Sequence, residues 1–124
     1  MAKILVVDDE VKVCDTLKKH LEERGHDLVS AGDGVEALEK VEGEKFDLII
    51  SDWIMPRMIG SELCKTLKQR ESTQDIPVIL IGVKQRGLKL DHWETEAYDA
   101  GACDYLDKPF KLTDLEASVS KALA

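Results

Sequence analysis

A chain of 124 residues with 44% hydrophobic content fits a single domain, residues 1–124, and is long enough to bury a core. A net charge of −8 and a pI near 4.9 argue against nucleic acid as a direct ligand. Neutralising phosphates takes clustered Lys and Arg, and here the basic residues are scattered along helices.

The longest apolar runs, residues 4–7 and 48–50, are too short to cross a membrane. No charged-then-apolar leader precedes a small-residue cleavage site. The expectation is a cytoplasmic protein without membrane insertion. Cys14, Cys64 and Cys103 are odd in number and lack paired spacing, which suits reduced thiols. Cys14 and Cys64 fall in helical patterns and read as packing residues.

Strand and helix signals alternate five times along the chain. Residues 4–7 form a continuous apolar strand, as expected when both sheet faces are covered, and run into Asp8 and Asp9. Helix one is expected over 11–24, with Val13, Leu17 and Leu21 on one face and Gly25 as its stop. Residues 26–31 make a weaker strand nearer an edge. Residues 34–42 make a short helix with Val35, Leu38 and Val41 on one face. The third strand, 46–51, is the most apolar and therefore central; it ends on Asp52, and Pro56 marks the following loop, 54–59. Gly60 or Ser61 opens helix three, which carries Leu63, Cys64 and Leu67 inward.

Pro77 starts the fourth strand, 78–81. Residues 82–92 lack clean periodicity and read as a long loop leading to helix four at about 93–100. Residues 105–106 are the fifth strand, which ends on the Lys108-Pro109 step. Thr113 or Asp114 caps helix five, which runs to Leu123 with Leu115 and Val119 facing in. Five such units make a doubly wound α/β domain with a parallel sheet and helices on both faces. Its site lies beyond the carboxyl ends of the strands.

A single Asp after a strand is usually a cap or turn former. That explanation weakens for a set in which three strand ends deliver Asp8-Asp9, Asp52 and Lys108. Such hard oxygen ligands suit Mg²⁺, which relieves the mutual repulsion of the carboxylates. Asp52 ends the most rigid strand and is the candidate nucleophile, since carboxylates form aspartyl-phosphate intermediates. Lys108 would neutralise charge on a transferred phosphoryl group. An X-Pro bond can be cis at modest cost, and a cis bond here would aim Lys108 inward. His20 lies in helix one beside Leu17 and Leu21 and reads as a partly exposed helix residue.

On Asp8-Asp9-Glu10, Asp52, Met55-Pro56 with Gly60, Pro77-Val78-Ile79, Gly101-Ala102, Tyr105 and Lys108-Pro109-Phe110, the chain resembles a receiver domain of the two-component response regulator family, in the manner of the chemotaxis regulators. The resemblance spans essentially residues 1–124. It implies a flavodoxin-like fold with strand order 2-1-3-4-5, and phosphorylation of Asp52 by a sensor histidine kinase or phosphotransfer protein. It implies Mg²⁺ bound by Asp9, Asp52 and the backbone carbonyl of Ile54, with Asp8 acting partly through water. Lys108 would contact the phosphoryl oxygen and assist the chemistry. Tyr105 would be the aromatic switch of an output face built from helix four, strand five and helix five (α4-β5-α5), where an unknown downstream protein docks. A weak homodimer is compatible with it. With no output domain after Ala124, the expectation is either a single-domain regulator or shuttle, or a fragment of a longer regulator, and in both cases a phosphoacceptor rather than an enzyme on other substrates.

Three departures from that family stand out. Its fourth strand ends in Ser or Thr, whose hydroxyl bonds the phosphoryl group; here that position is Gly82. A hydrogen bond to a charged group is worth about 1.5–3 kcal/mol. Its loss would weaken coupling between phosphorylation and switching by about 10- to 150-fold unless something replaced it. The stretch after Gly82 is also longer than usual. It either supplies a substitute donor (the Gly82 N–H, Lys84, Gln85 or Arg86) or is a tolerated surface insertion. The third departure is Ile54, which cannot position a hydrolytic water as a polar residue would, so slow self-dephosphorylation is expected.

Two other functions compete with this one. A phosphorylation-independent interaction module is suggested by Gly82 and opposed by retention of all four charged site residues. A Mg²⁺-dependent phosphohydrolase would need a second acid two residues after the nucleophile, where Ile54 stands. Trp93 reads as a partner anchor and Tyr98 as a core contact.

Overall fold

The computed structural model describes residues 2–83 and 91–124, without the side chains of Val83, Asp91, His92 and Trp93. The expectations for Lys84, Gln85, Arg86 and Gly87, and for the side chains of His92 and Trp93, lie outside the described residues. Ten elements alternate along the chain: β1 (Lys3–Val7), α1 (Val11–Glu22), β2 (Asp27–Ala31), α2 (Gly34–Gly43), β3 (Leu48–Asp52), α3 (Gly60–Gln69), β4 (Val78–Val83), α4 (Asp91–Asp99), β5 (Asp104–Lys108) and α5 (Leu112–Leu123). The sheet has the order β2-β1-β3-β4-β5 and every neighbouring pair is parallel. The doubly wound, flavodoxin-like architecture with order 2-1-3-4-5 is therefore present. The weak strand β2 is at an edge and the apolar β3 is central.

Alternation along the strands divides the core into two layers, because successive side chains point to opposite sheet faces. Leu5, Val7, Ile49, Val78 and Leu80 pack with Ala37 of α2, with Leu63, Cys64 and Leu67 of α3, and with Ala97 of α4. Ile4, Val6, Leu48, Ile50, Ile79 and Ile81 pack with Cys14, Leu17 and Leu21 of α1 and Leu115 and Val119 of α5. Each fully buried Leu or Ile contributes about 1.5–3 kcal/mol. That double cover explains why the central strands read as unbroken apolar runs. Among the described residues, no helix is long and apolar enough to cross a membrane.

Several boundaries differ from expectation for definable reasons. Helix α1 stops at Glu22 rather than residue 24, and Gly25, at φ 89°, closes the turn by donating its N–H to the Glu22 carbonyl at 2.9 Å. Helix α5 begins at Leu112 with Lys111 as its N-cap. Neither Thr113 nor Asp114 is the cap; Asp114 accepts the Lys111 N–H at 3.3 Å from within the first turn. Strand β4 runs through Gly82 to Val83, because pairing with β5 continues, with Gly82 opposite Asp107 and Val83 opposite Lys108. Gly82 is thus a buried strand residue and not the start of a loop. The same pairing extends β5 from two residues to five. Tyr98 is 46% exposed, so it is no core contact: Ala97 takes the inward face of α4, Ala100 just past its end is also buried, and Tyr98 is left outside.

His20 lies on α1 with its Nε2 2.7 Å from Glu116 Oε1 of α5, without hydrogen-bond alignment. Arg24 Nε donates to the same oxygen at 2.6 Å. This staple between α1 and α5 accounts for His20 without any role in phosphate chemistry.

Candidate functional site

Three strand ends converge at the carboxyl end of the sheet. Strand β1 ends at Val7, beside β3, and hands on to Asp8 and Asp9; β3 ends on Asp52; β5, beyond β4, ends on Lys108. Parallel pairing aligns all these ends on one side, which is why residues far apart in sequence meet there. One carboxylate oxygen from each of Asp8, Asp9 and Asp52 falls within 4.8 Å of the others. Asp8 and Asp52 are each only 4% exposed, while Asp9 faces solvent.

The ammonium of Lys108 lies 3.4 Å from Asp52 Oδ2 and 3.6 Å from Asp8 Oδ2. The Lys108–Pro109 peptide bond is cis. Backbone donors hold the other carboxylate oxygens. The Trp53 N–H reaches Asp52 Oδ1 at 2.9 Å, and the Glu10 N–H reaches Asp8 Oδ1 at 2.9 Å. These contacts fix both carboxylates in orientation.

The electrostatics follow from burial. Asp52 is pushed up to about 6, first by loss of water and then by the Asp8 charge, against the pull of Lys108 and the Trp53 N–H. Burial also raises Asp8, opposed by the Glu10 N–H and by Lys108. For Lys108 burial works downward, yet the Asp52 and Asp8 charges together outweigh it and raise the ammonium. One ammonium does not neutralise the cluster, so the residues present fit a divalent cation of hard character: three oxygen donors, and two carboxyls that resist ionising alone.

The loop after β3 is locked by close approaches. Gly60 donates its N–H to the Trp53 carbonyl at 2.7 Å, and a Cβ there would collide with the Asp52 carbonyl oxygen. Arg57 adopts φ 68°, rare for a residue with a side chain, and binds Asp33 Oδ2 through Nε at 2.9 Å and Nη2 at 2.7 Å. Asp33 also caps α2 by accepting the Glu36 N–H. Met58 sits where a Cβ on Gly34 would be, 2.8–3.0 Å from it. Ile54 lies in this loop directly after Trp53, with its side chain 42% exposed.

Tyr105, three residues before Lys108 on β5, points to the opposite sheet face from Lys108. Its hydroxyl donates to Asp107 Oδ1 at 2.6 Å, and its ring meets Trp53 edge-on, centroids 6.1 Å apart at 88°. Burial and the Asp107 carboxylate raise this phenol well above the usual range. The ring covers Gly82. The geometry thus brings together Asp8, Asp9, Asp52 and Lys108, and joins Gly82 to Tyr105. Asp107, Asp33 and Arg57 escaped the sequence reading. Asp107 carried a signal, two residues after Tyr105 on the same strand face; the Arg57–Asp33 pair carried none.

Comparison with known proteins agrees with this geometry. A family model for the response regulator receiver domain matches residues 4–120. The alkaline phosphatase synthesis transcriptional regulatory protein PhoP of Bacillus subtilis (strain 168) is 38% identical over 121 residues, 98% of this chain and 48% of that protein. Response regulator MprA of Mycobacterium leprae (strain TN) is 36% identical over 98% of this chain and 50% of its own length. The chain therefore spans about half the length of the curated relatives it matches. Among solved structures, chemotaxis response regulator CheY4 of Vibrio cholerae superposes with a TM-score of 0.88 at 31% identity, covering 99% of both chains. The signal receiver domain of a histidine kinase from Syntrophus aciditrophicus gives 0.89 at 33% identity, over 99% of this chain and 90% of that one. Receiver domains are phosphoacceptor modules of two-component systems that work with histidine kinases or phosphotransfer partners and typically bind Mg²⁺ at an acidic pocket. The chain belongs to the response regulator receiver domain family.

Proposed function

We propose that residues 1–124 act as one phosphoacceptor domain in which Asp52 receives a phosphoryl group from a histidine on a partner kinase or phosphotransfer protein. The observation that carries this reading is the Lys108 ammonium set between Asp52 and Asp8 over three clustered carboxylates. Asp52 Oδ2 attacks phosphorus, the P–N bond of the donor breaks, and its electron pair returns to the donor imidazole. Lys108 holds one phosphoryl oxygen as charge develops, and the Trp53 N–H keeps the other Asp52 oxygen turned away from the attack. Asp8, Asp9, Asp52 and the Ile54 carbonyl would hold Mg²⁺, which when bound offsets carboxylate and phosphoryl charge. The domain assists its own phosphorylation and dephosphorylation, and no other substrate is assigned to it.

Output is assigned to the face made by α4, β5 and α5, directed at a protein partner rather than nucleic acid. The switch is atypical, because Gly82 offers no hydroxyl to an incoming phosphoryl group. Incubation with acetyl phosphate and Mg²⁺, followed by intact-mass measurement, tests the reading. A gain of one phosphoryl group that disappears in Asp52→Asn is expected. No gain in the wild type would favour a phosphorylation-independent interaction module instead, and steady turnover of a phosphomonoester would favour a hydrolase.

A further inference from the structure

The side-chain space of Gly82 is already occupied. A Cβ built on Gly82 would overlap the Tyr105 hydroxyl oxygen and lie 2.7 Å from both Cε2 and Cζ of the ring. Real Cβ atoms do not approach other atoms so closely, so any residue larger than glycine at this position and the observed Tyr105 position exclude each other. Three further contacts hold the ring where it is. Its hydroxyl donates to Asp107 Oδ1 at 2.6 Å, its edge packs on Trp53, and it joins the core layer containing Leu80 and Ala97. Asp107 is itself the β5 residue paired with Gly82, so glycine, ring and carboxylate form one interlocked unit across β4 and β5.

We infer that Gly82 presets Tyr105 in its inward seat with Asp52 unmodified, so that phosphorylation is not reported by rotation of this ring. The inference deepens the phosphoacceptor reading and rests on it only for its second half. The half-buried ring packs against Trp53, and leaving that seat would give up this contact and strand Asp107 without its donor. Nothing at position 82 pushes the ring out, and three contacts draw it in. The output face is therefore offered in one form before and after phosphorylation, as far as Tyr105 contributes to it. Reporting of the phosphoryl group falls to other parts of the molecule.

The test uses the full chain labelled with 3-fluorotyrosine and observed by fluorine NMR, with the Tyr98 resonance assigned through Tyr98→Phe. In the wild type, Tyr105 is expected to give one resonance, displaced from free fluorotyrosine and quenched less than Tyr98 by a soluble paramagnetic agent, as suits a half-buried ring. In Gly82→Ala that resonance is expected to move toward the exposed value and be quenched as strongly as Tyr98, because the methyl group evicts the ring. Should Gly82→Ala fail to fold, Gly82→Ala with Tyr105→Ala is expected to fold and to melt close to Tyr105→Ala alone, since the clash is gone. A wild-type Tyr105 quenched as strongly as Tyr98, an unmoved resonance in folded Gly82→Ala, or an unrelieved double variant would each overturn the interlock. In the second arm, wild-type protein shown by intact mass to carry a phosphoryl group is expected to keep its Tyr105 resonance. A shift on phosphorylation would overturn the preset. Absence of any mass gain would count against the phosphoacceptor reading alone, with the interlock still judged by Gly82→Ala.

Discussion

Lys108 faces Asp52 at 3.4 Å across the full width of β4, the strand that separates β5 from β3. The contact can form only if both outer strands end at the same level, so it reads out the register of half the sheet. Removing the ammonium leaves two buried carboxylates without their shared cation. Lys108→Ala should therefore slow phosphorylation of Asp52 by acetyl phosphate by about 10²- to 10³-fold. Time courses of intact mass at saturating Mg²⁺ would show it, and an unchanged rate would remove Lys108 from the chemistry.

The raised carboxyl of Asp52 gives stability a defined pH dependence in metal-free protein. Its folded value, about 6, lies above the ordinary value of 3.8, so the folded state holds the proton more tightly than the unfolded chain. The stability tied to this group is fully present below pH 3.8 and is lost as pH rises through about 6. The loss amounts to about 3 kcal/mol, and Asp8 adds to it in the same direction. In EDTA, Tm should fall between pH 4 and pH 7 more steeply for wild type than for Asp52→Asn, and Mg²⁺ should raise Tm at pH 7.5 more than at pH 5. Equal slopes for the two proteins would show that Asp52 titrates normally.

Ile54 bears on the lifetime of the phosphorylated state. Its half-exposed aliphatic side chain follows the nucleophile by two residues and offers no hydrogen bond to a hydrolytic water. Loss of radiolabel from purified phosphoprotein at saturating Mg²⁺ should be slow, and Ile54→Asn should hasten it. A short wild-type half-life, or no acceleration in the variant, would separate Ile54 from dephosphorylation.

Backbone strain at Arg57 makes a different kind of prediction. At φ 68° a Cβ is costly, while the exposed pair with Asp33 is worth at most about 1 kcal/mol. Arg57→Gly should be more stable than Arg57→Ala by about 1 kcal/mol, although glycine usually weakens a fold. Asp33→Ala, which also uncaps α2, should cost about 1–2 kcal/mol. Urea denaturation of the three variants would rank them, and Ala at least as stable as Gly would place Arg57 outside the left-handed region.

How far the sequence spoke varied with the physics behind each residue. Strands β1 and β3 were legible because burial on both faces leaves long apolar runs, residues 4–7 and 48–50, and the acids follow at or just past their ends, Asp8 after Val7 and Asp52 as the last residue of β3. Gly82 was misplaced as the start of a loop because glycine lowers strand propensity, while pairing with β5 holds it in β4 all the same. The start of α5 was missed because Lys111 has no acceptor to cap with, and the bond runs from its own N–H to Asp114. Tyr98 and Tyr105 could not be told apart by composition; which one enters the core depends on the helix face and on the space Gly82 leaves open. The pair Arg57–Asp33 joins two loops through a backbone conformation that arginine seldom adopts, so no local pattern announced it.

The claim at the centre of this account is that Asp52, among three clustered carboxylates, is the one that carries the phosphoryl group. Borohydride reduces an acyl phosphate to an alcohol with release of phosphate, which converts the modified aspartate to homoserine and marks its position. After treatment with acetyl phosphate and Mg²⁺, then borohydride and proteolysis, peptide mass mapping should find homoserine at position 52 alone. Homoserine at Asp8 or Asp9, or at no position, would contradict the account.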